Sequence, residues 1–313
     1  MTADSTIGVD IGGTKVAAAL VSSSGEIGRK ARLPMNASGT AAEGFGSVAA
    51  VIRELLADLP EVKGIGLCSP GPLDPRTGIV LNPPNLPCWR NFPLAAEVER
   101  HFGVRACVDN DANAAGLAEA IWGAGAGFTN VFYATLGTGI GSGIVFDRKI
   151  YHGRTGSAAE GGHVTIDFRG PKCGCGKYGC IEALASGPAI ARRAQAVHSA
   201  RLTELAGSVE RILPEHVGQA FREGDPGASA VLQETAHFLT VWLGNVVDLL
   251  EPDVIVVGGG MAEMMSPFFP EMSRNLACWS INQRAHEIPL LMARYGADAG
   301  IAGAAALVAR ASQ

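Results

Sequence analysis

Ile7-Gly8-Val9-Asp10-Ile11-Gly12-Gly13-Thr14-Lys15-Val16-Ala17-Ala18-Ala19-Leu20-Val21 is the stretch whose reading decides the fold. An apolar run, a polar loop with two glycines and a second apolar run predict a β-hairpin opened by the loop, with Ser24-Gly25 as the next turn. The same grammar returns further on. Val131 to Leu136 is apolar and β-rich, Gly137-Thr138-Gly139-Ile140-Gly141-Ser142-Gly143 is the loop, and Ile144-Val145-Phe146 resumes before Asp147-Arg148-Lys149 turns. The chain therefore reads as two related halves. Each loop can present backbone N–H groups to phosphate oxygens with no Cβ in the way. Neither has the spacing of a Walker A loop or of the Gly-x-Gly-x-x-Gly dinucleotide fingerprint. Taken alone, Gly12-Gly13 also fits an ordinary hairpin turn and Lys15 a solvated charge; the pair of loops is what points to phosphate.

Around these loops strands and helices alternate. Helices are expected over Ala41 to Leu59, Leu94 to Phe102 and Ala112 to Trp122, and strands over Gly64 to Cys68 and Val104 to Val108. Later, Ser186 is the expected N-cap of a helix over Ile190 to His198, with Pro188 in its first turn. Gly227 to Leu250 carries Val231, Leu232, Phe238, Leu239, Trp242, Leu243, Val246 and Leu249 at the spacing of a long helix with a buried face. Val254 to Val257 reads as a strand stopping at Gly258-Gly259-Gly260, and Gly300 to Arg310 as a last helix. This is the pattern of α/β lobes that bind ligands at the carboxyl ends of their strands. The boundary is expected soon after Asp111, giving a small lobe of 1–113 with the C-terminal helix 299–313, and a larger lobe of 114–298.

Composition narrows the function. Of 313 residues 47% are hydrophobic and only 18% charged, with a net charge of -5 and no basic run, so nucleic acid is not an expected partner. No basic segment leads into an apolar h-region and no apolar stretch is long enough to span a bilayer, so a cytoplasmic chain without a membrane partner is expected. The seven cysteines are an odd number, and Cys68, Cys88, Cys107 and Cys278 lie scattered in apolar surroundings, which suits a reducing compartment.

The other three cysteines fall in one glycine-rich loop between Gly162 and Cys180. Cys173, Cys175 and Cys180 can supply thiolates and His163 an imidazole, the four donors that tetrahedral Zn²⁺ favours. With all four positions filled by protein, the ion is expected to be structural. The competing reading is a set of small reduced cysteines in a tight turn. Glu160, His163 and Glu182 flank this clip and offer the mixed acceptors and donors that a neutral polyol needs, although an isolated Glu182 would read as a surface charge. Asp109-Asn110-Asp111 ends a strand just before a helix, where a carboxylate can accept the proton of an incoming alcohol during phosphoryl transfer. Asp111 is the expected base, and Asp109 or Asn110 can instead cap the helix.

The paired loops resemble the two phosphate loops of the sugar kinase, heat-shock chaperone and actin superfamily, which implies a two-lobed α/β fold of the actin-like ATPase, ribonuclease H-like type. It also implies that Asp10 holds Mg²⁺ through water and that Thr14 and Thr138 offer hydroxyls to the phosphates of ATP. Across nearly the whole chain the motifs are similar to one family, the ROK family of bacterial sugar kinases and sugar-responsive repressors. They are Asp10 to Lys15, Pro70-Gly71-Pro72, Asn85-Leu86-Pro87 with Trp89, Asn110-Asp111-Ala112-Asn113-Ala114, Gly137 to Gly141, Glu160-Gly161-Gly162-His163, the cysteine signature through Glu182, and Gly258 to Gly260. The resemblance implies an ATP-dependent hexokinase with Asp111 as base. Asn85, Asn110, Asp111, Glu160, His163 and Glu182 would surround the sugar, Asp10, Gly12, Gly13, Thr14, Lys15, Gly137, Thr138 and Gly139 would serve ATP and its Mg²⁺, and Gly258, Gly259 and Gly260 would lie near the adenosine. A homodimer or homotetramer is implied too. Ala159 departs from the glycine that many members carry there.

The turn from Pro70 to Gly78 and the segment Pro83 to Pro87 look like those of the glucose-phosphorylating branch, whereas kinases of N-acetylmannosamine, N-acetylglucosamine, mannose and fructose share every catalytic motif. A sugar-sensing regulator of the family would add an N-terminal winged helix, for which the first loop, starting at Ile7, is expected to leave no room. The lobes are expected to rotate together on sugar binding.

Overall fold

The computed structural model describes residues 4–57, 59 and 61–311. The opening stretch forms β1 (Thr6–Ile11) and β2 (Lys15–Val21), paired antiparallel as the sequence predicts, and β3 (Ile27–Pro34) continues the sheet antiparallel to β2. α1 (Ala41–Leu56) follows. Its start is fixed by a capping box in which the Thr40 hydroxyl accepts from the Glu43 N–H at 3.3 Å and the Glu43 carboxylate accepts from the Thr40 N–H at 2.7 Å. The helix ends three residues short of the expected Leu59, with Ala57 as its C-cap.

β4 (Ile65–Ser69) lies parallel to β1, and after the short strands β5 (Leu73–Asp74) and β6 (Ile79–Val80) come α2 (Leu94–Phe102), β7 (Ala106–Asn110) and α3 (Asp111–Ile121). The strand order is β3-β2-β1-β4-β7, and β7 is parallel to β4. Register decides what this sheet presents. Asp10 pairs with Cys68 and Cys68 with Asp109, so one row across three parallel strands carries an acid, a thiol and an acid at their carboxyl ends. Ile7, Val9, Ile52, Leu55, Ile65 and Leu67 are buried between sheet and α1.

β8 (Asn130–Leu136), β9 (Ile140–Phe146) and β10 (Lys149–Ile150) repeat the three-strand beginning, with β9 and β10 antiparallel. The helices α4 (Ile181–Ala185), α5 (Gly187–Ala196), α6 (Ala200–Ala206), α7 (Pro214–Arg222) and the long α8 (Pro226–Leu250) follow. Ser186 does hold the N-cap position of α5, but its side chain makes no capping bond; the same residue is the C-cap of α4, where its backbone N–H donates to the Glu182 carbonyl. α5 accordingly starts at Gly187 and ends at Ala196, two residues before the expected His198. The chain closes with β11 (Val254–Gly258), α9 (Ala262–Met265), α10 (Phe269–Asn275), β12 (Leu290–Met292) and α11 (Ala299–Ala311).

The second sheet has the order β10-β9-β8-β11-β12, which matches the order of the first sheet, and its outer pairs, β9–β10 antiparallel and β11–β12 parallel, have the sense of their counterparts there. The two halves read from the sequence are thus two copies of one topology, the α/β architecture of the actin-like ATPase fold. Of the described residues, those up to Tyr133, Gly143–Ala159 and those from Arg294 onward form one compact unit, and Ala134–Ser142 with Glu160–Ala293 form another. The boundary expected near 113 falls inside α3. In the first unit α11 lies flush on the sheet. A Cβ on Gly66 would come within 1.7 Å of the Ala304 carbonyl, so only glycine permits that approach. Residues 312–313 of the expected last helix lie outside the described residues.

Candidate functional site

In the first unit, Asp10 is carried by β1 and Asp111 opens α3 directly after β7. Asn110 is the N-cap of α3: its side-chain oxygen accepts from the Ala112 N–H at 2.9 Å and the Asn113 N–H at 3.4 Å, which leaves its amide N–H₂ to donate elsewhere. The Asp111 side chain stays open to solvent, yet the protein crowded round it, with Asp10 adding repulsion, pushes its carboxyl up to about 6. One Asp111 oxygen accepts from the Ala112 N–H at 2.8 Å, which opposes that rise and fixes the rotamer. Asp10 is raised as well, by burial, against the lowering effects of Cys68 and Lys15. The first unit thus holds two carboxyls that burial raises, with Asp10 adding to the rise at Asp111.

Two residues that sequence reasoning did not single out place Asp10. Burial pushes the Cys68 thiol well up, so the sulfur keeps its proton and donates to Asp10 Oδ1 at 3.4 Å; it also lies 3.3 Å from the Gly300 carbonyl oxygen. A Cβ on Gly300 would meet the Asp10 Cγ at 2.6 Å and both its oxygens at 2.8 Å. No local sequence signal marks either residue, because sheet register and the return of α11 bring them to Asp10 from 58 and 290 residues away.

The Gly12 N–H donates to the Lys15 carbonyl at 2.9 Å, closing the first loop. Gly13 must be glycine, since a Cβ there would stand 2.6 Å from the Asn85 carbonyl oxygen. The contact brings the exposed Asn85 to the loop that carries Thr14 and Lys15. Asn85 is anchored by its neighbours: Leu86 and Trp89 are fully buried, the Trp89 ring stacks on Phe92 at 5.0 Å, and its Nε1–H donates to the Ala41 carbonyl at 3.3 Å.

In the second unit, Gly137, Thr138 and Gly260 line one cavity of about 1070 Å³, walled on the apolar side by Ile212, Pro214, Met261 and Met264. Gly258 ends β11 in the core, and Gly259, at φ +88°, packs against the Leu136 carbonyl oxygen, so of the three glycines Gly260 alone faces that cavity. Gly139 stands elsewhere, against the Glu182 carboxylate.

The same unit holds His163, Cys173, Cys175 and Cys180 together, with one donor atom from each lying within 4.8 Å of all the others. Cys173 Sγ is 3.7 Å from His163 Nδ1, and Cys175 Sγ is 3.7 Å from Cys180 Sγ. Donors at the corners of a tetrahedron around an ion with bonds of about 2.3 Å stand roughly 3.8 Å apart, so the donor set fits Zn²⁺. All seven cysteines are free thiols in the structure. Backbone bonds build the clip: the Cys173 N–H donates to the Lys177 carbonyl at 2.8 Å and the Ile166 N–H to the Gly179 carbonyl at 2.9 Å.

Glu182 joins the clip to the second glycine loop. Its Oε1 lies 3.7 Å from Cys173 Sγ and 3.9 Å from His163 Nδ1, while its Oε2 accepts from the Ile140 N–H at 3.1 Å. With Nδ1 turned to the thiols, His163 keeps Nε2 for another partner. Glu160 is exposed and precedes the single turn Gly161–His163, which Ser142 holds by accepting from the Gly161 N–H at 3.1 Å. Ala159 sits at φ +66°, in the left-handed region, at a cost of about 1–2 kcal/mol for a residue with a Cβ. This is the physical reason for a glycine at that position. No helix among the described residues is long and apolar enough to cross a membrane.

Residues 6–311 match the family described as ROK family. A glucokinase of Thermotoga maritima is 34% identical over 306 residues, covering 96% of this chain and 96% of its own. An N-acetylmannosamine kinase of Shigella boydii is 35% identical, covering 96% of this chain and 97% of its own. Among solved structures, a ROK family glucokinase from Streptomyces griseus in complex with glucose and AMPPNP superposes with a TM-score of 0.81 at 36% identity, over 96% of this chain and 98% of its own.

Proposed function

The chain belongs to the ROK family and is a kinase of hexoses, and from that premise we propose that its acceptor is glucose, its donor ATP, and Asp111 the base. The observation that carries the reading is the Asp10 and Asp111 pair, in which one carboxyl is lifted to about 6 while staying open to solvent. A general base works best with a pKa near the operating pH and in reach of the hydroxyl it serves. Asp111 removes the proton of the sugar 6-hydroxyl as the oxygen attacks the γ-phosphorus. The bond from that phosphorus to the bridging oxygen breaks, and ADP leaves.

Asp10 holds the Mg²⁺ that neutralises the phosphates, and its burial beside a neutral thiol keeps it in one place for that task. Gly12, Gly13, Thr14 and Lys15 serve the phosphates together with Gly137, Thr138 and Gly139. The apolar wall beside Thr138 and Gly260 takes the purine and favours a nucleotide over a bare polyphosphate as donor. Asn85, Asn110, Glu160, His163 and Glu182 supply donors and acceptors for the sugar hydroxyls. His163, Cys173, Cys175 and Cys180 hold a structural Zn²⁺ that stiffens the loop between Glu160 and Glu182. The protein acts as a homo-oligomer in the cytoplasm.

Gly300→Ala tests the placement of Asp10 without removing a polar atom. The added methyl displaces the carboxylate, and kcat should fall by about 10²-fold, the scale expected for a misplacement near 1 Å, with a higher Mg²⁺ requirement. Unchanged steady-state kinetics in that variant would remove Asp10 from the metal role. Acceptor identity is tested by ranking kcat/KM for glucose, mannose, fructose, N-acetylglucosamine and N-acetylmannosamine. Glucose is expected first. An N-acetylated hexosamine ahead of it by about tenfold, roughly 1.4 kcal/mol of transition-state binding, would make the acceptor an amino sugar.

A further inference from the structure

The first unit contains a cavity of about 700 Å³ that is lined by none of the residues given roles above. Its volume suits a hexose phosphate or a nucleoside monophosphate. Its charge is unbalanced: Arg76, Arg105, Lys149 and Arg310 line it against only two carboxylates, Glu99 and Asp109. Both carboxylates are already engaged. Glu99 accepts from the Ala106 N–H at 3.0 Å, and Asp109 is bonded to His152 Nε2 at 2.6 Å while accepting from the Asn110 N–H at 2.7 Å and the Asn113 amide at 3.2 Å. Arg310, by contrast, has a buried Nε–H with no hydrogen-bond partner among the described residues. Leaving such a charged donor unmatched is costly, so a ligand that accepts from it gains more than a surface contact would.

We propose that this cavity binds a phosphomonoester of sugar or nucleoside size and that its occupancy slows the enzyme through Asp109. A phosphate dianion matches guanidinium and ammonium donors in number and charge, and the non-ionic lining of Ala95, Ala96, Val108 and Leu117 accommodates the uncharged part of such a ligand. The route to the reaction is short. His152 lines the cavity and is hydrogen-bonded to Asp109, and Asp109 fixes the backbone N–H of Asn110, the residue just before Asp111. A phosphate that accepts from His152 competes with Asp109 for the ring, and the support beneath Asp111 loosens.

The test is calorimetric titration of the full-length protein with glucose 6-phosphate, AMP and inorganic phosphate, repeated with glucose and a non-hydrolysable ATP analogue at saturation. The repeat separates this cavity from the phosphate loops, and the binding readout does not depend on the kinase reading. The expected result is one site with a Kd between about 10 µM and 1 mM for at least one phosphomonoester, weakened about tenfold or more in Arg310→Gln and in Lys149→Glu. The preferred ligand distinguishes product feedback from nucleotide sensing. In the wild type it should lower kcat, and in both variants basal kcat should stay within about twofold while that inhibition is lost. Lys149 is exposed at the start of β10, so its variant folds even where the Arg310 change does not. No heat from any of the three ligands, equal affinity in both variants, or inorganic phosphate binding as tightly as the esters would overturn the proposal.

Discussion

Asp111→Asn should lower kcat by about 10³-fold or more while the Kd for glucose moves by less than about threefold. The amide keeps the size of the carboxylate and can still accept from the Ala112 N–H, so α3 keeps its first turn and the sugar keeps a polar neighbour. What disappears is the proton acceptor. The fold should not suffer either. A carboxyl whose pKa is raised on folding costs stability once pH climbs from the unfolded value toward about 6, and Asn removes that cost. The melting temperature of the variant at neutral pH should therefore equal or exceed that of the wild type. Calorimetric glucose titration, thermal melting and steady-state kinetics on one preparation check all three expectations. Retention of more than about a tenth of kcat would take the base role from Asp111.

The second large effect concerns the thiol clip. Purified protein should contain one Zn²⁺ per chain, and stripping it, or replacing Cys173 with Ser, should raise the KM for glucose by about 10–100-fold. Glu182 makes the prediction more specific. It faces Cys173 and His163 with one oxygen and holds the Ile140 N–H with the other, at the end of the second glycine loop. Freed from the clip, it releases that loop as well, and the KM for ATP should rise together with that for the sugar. Cys278→Ser, at an exposed thiol away from the clip, is the matched control and should change neither. Metal analysis that finds no zinc in fully active protein would contradict the structural role. A rise in the glucose KM alone would separate Glu182 from the glycine loop.

Much of this fold was legible because its information is local. The two glycine loops and their flanking apolar runs announced a repeated topology, and Leu94–Phe102 emerged as a helix with the bounds read from its pattern. β3 was not singled out. It lies at the edge of its sheet and exposes Arg29, Lys30 and Arg32, so its pattern is that of a charged surface rather than of a core strand. The short helices α6 and α7 carry too few buried residues to impose a period.

The candidate site divides along the same line. The clip was readable because three of its donors fall within eight residues and the fourth lies just before them. The Asn110 cap was readable as one of two options, and the structure shows that Asn110 takes it while Asp109 turns to His152 and Asn113. Cys68, Gly300 and His152 were not readable, because none has a local partner. Strand register brings the thiol to Asp10, the return of α11 brings the glycine, and the turn after β10 brings the imidazole to Asp109.

The claim on which the rest depends is that the Asp111 carboxylate, lifted by its surroundings, receives the proton of the sugar hydroxyl. The most direct measurement is kcat/KM for glucose against pH, on the wild type and on Asp111→Asn side by side. A base acts only when ionised, so the wild-type profile should fall with unit slope below a break near pH 6, and the variant should lack that limb. A wild-type profile that stays level through that region, or a variant that keeps the same acid limb, would contradict the account.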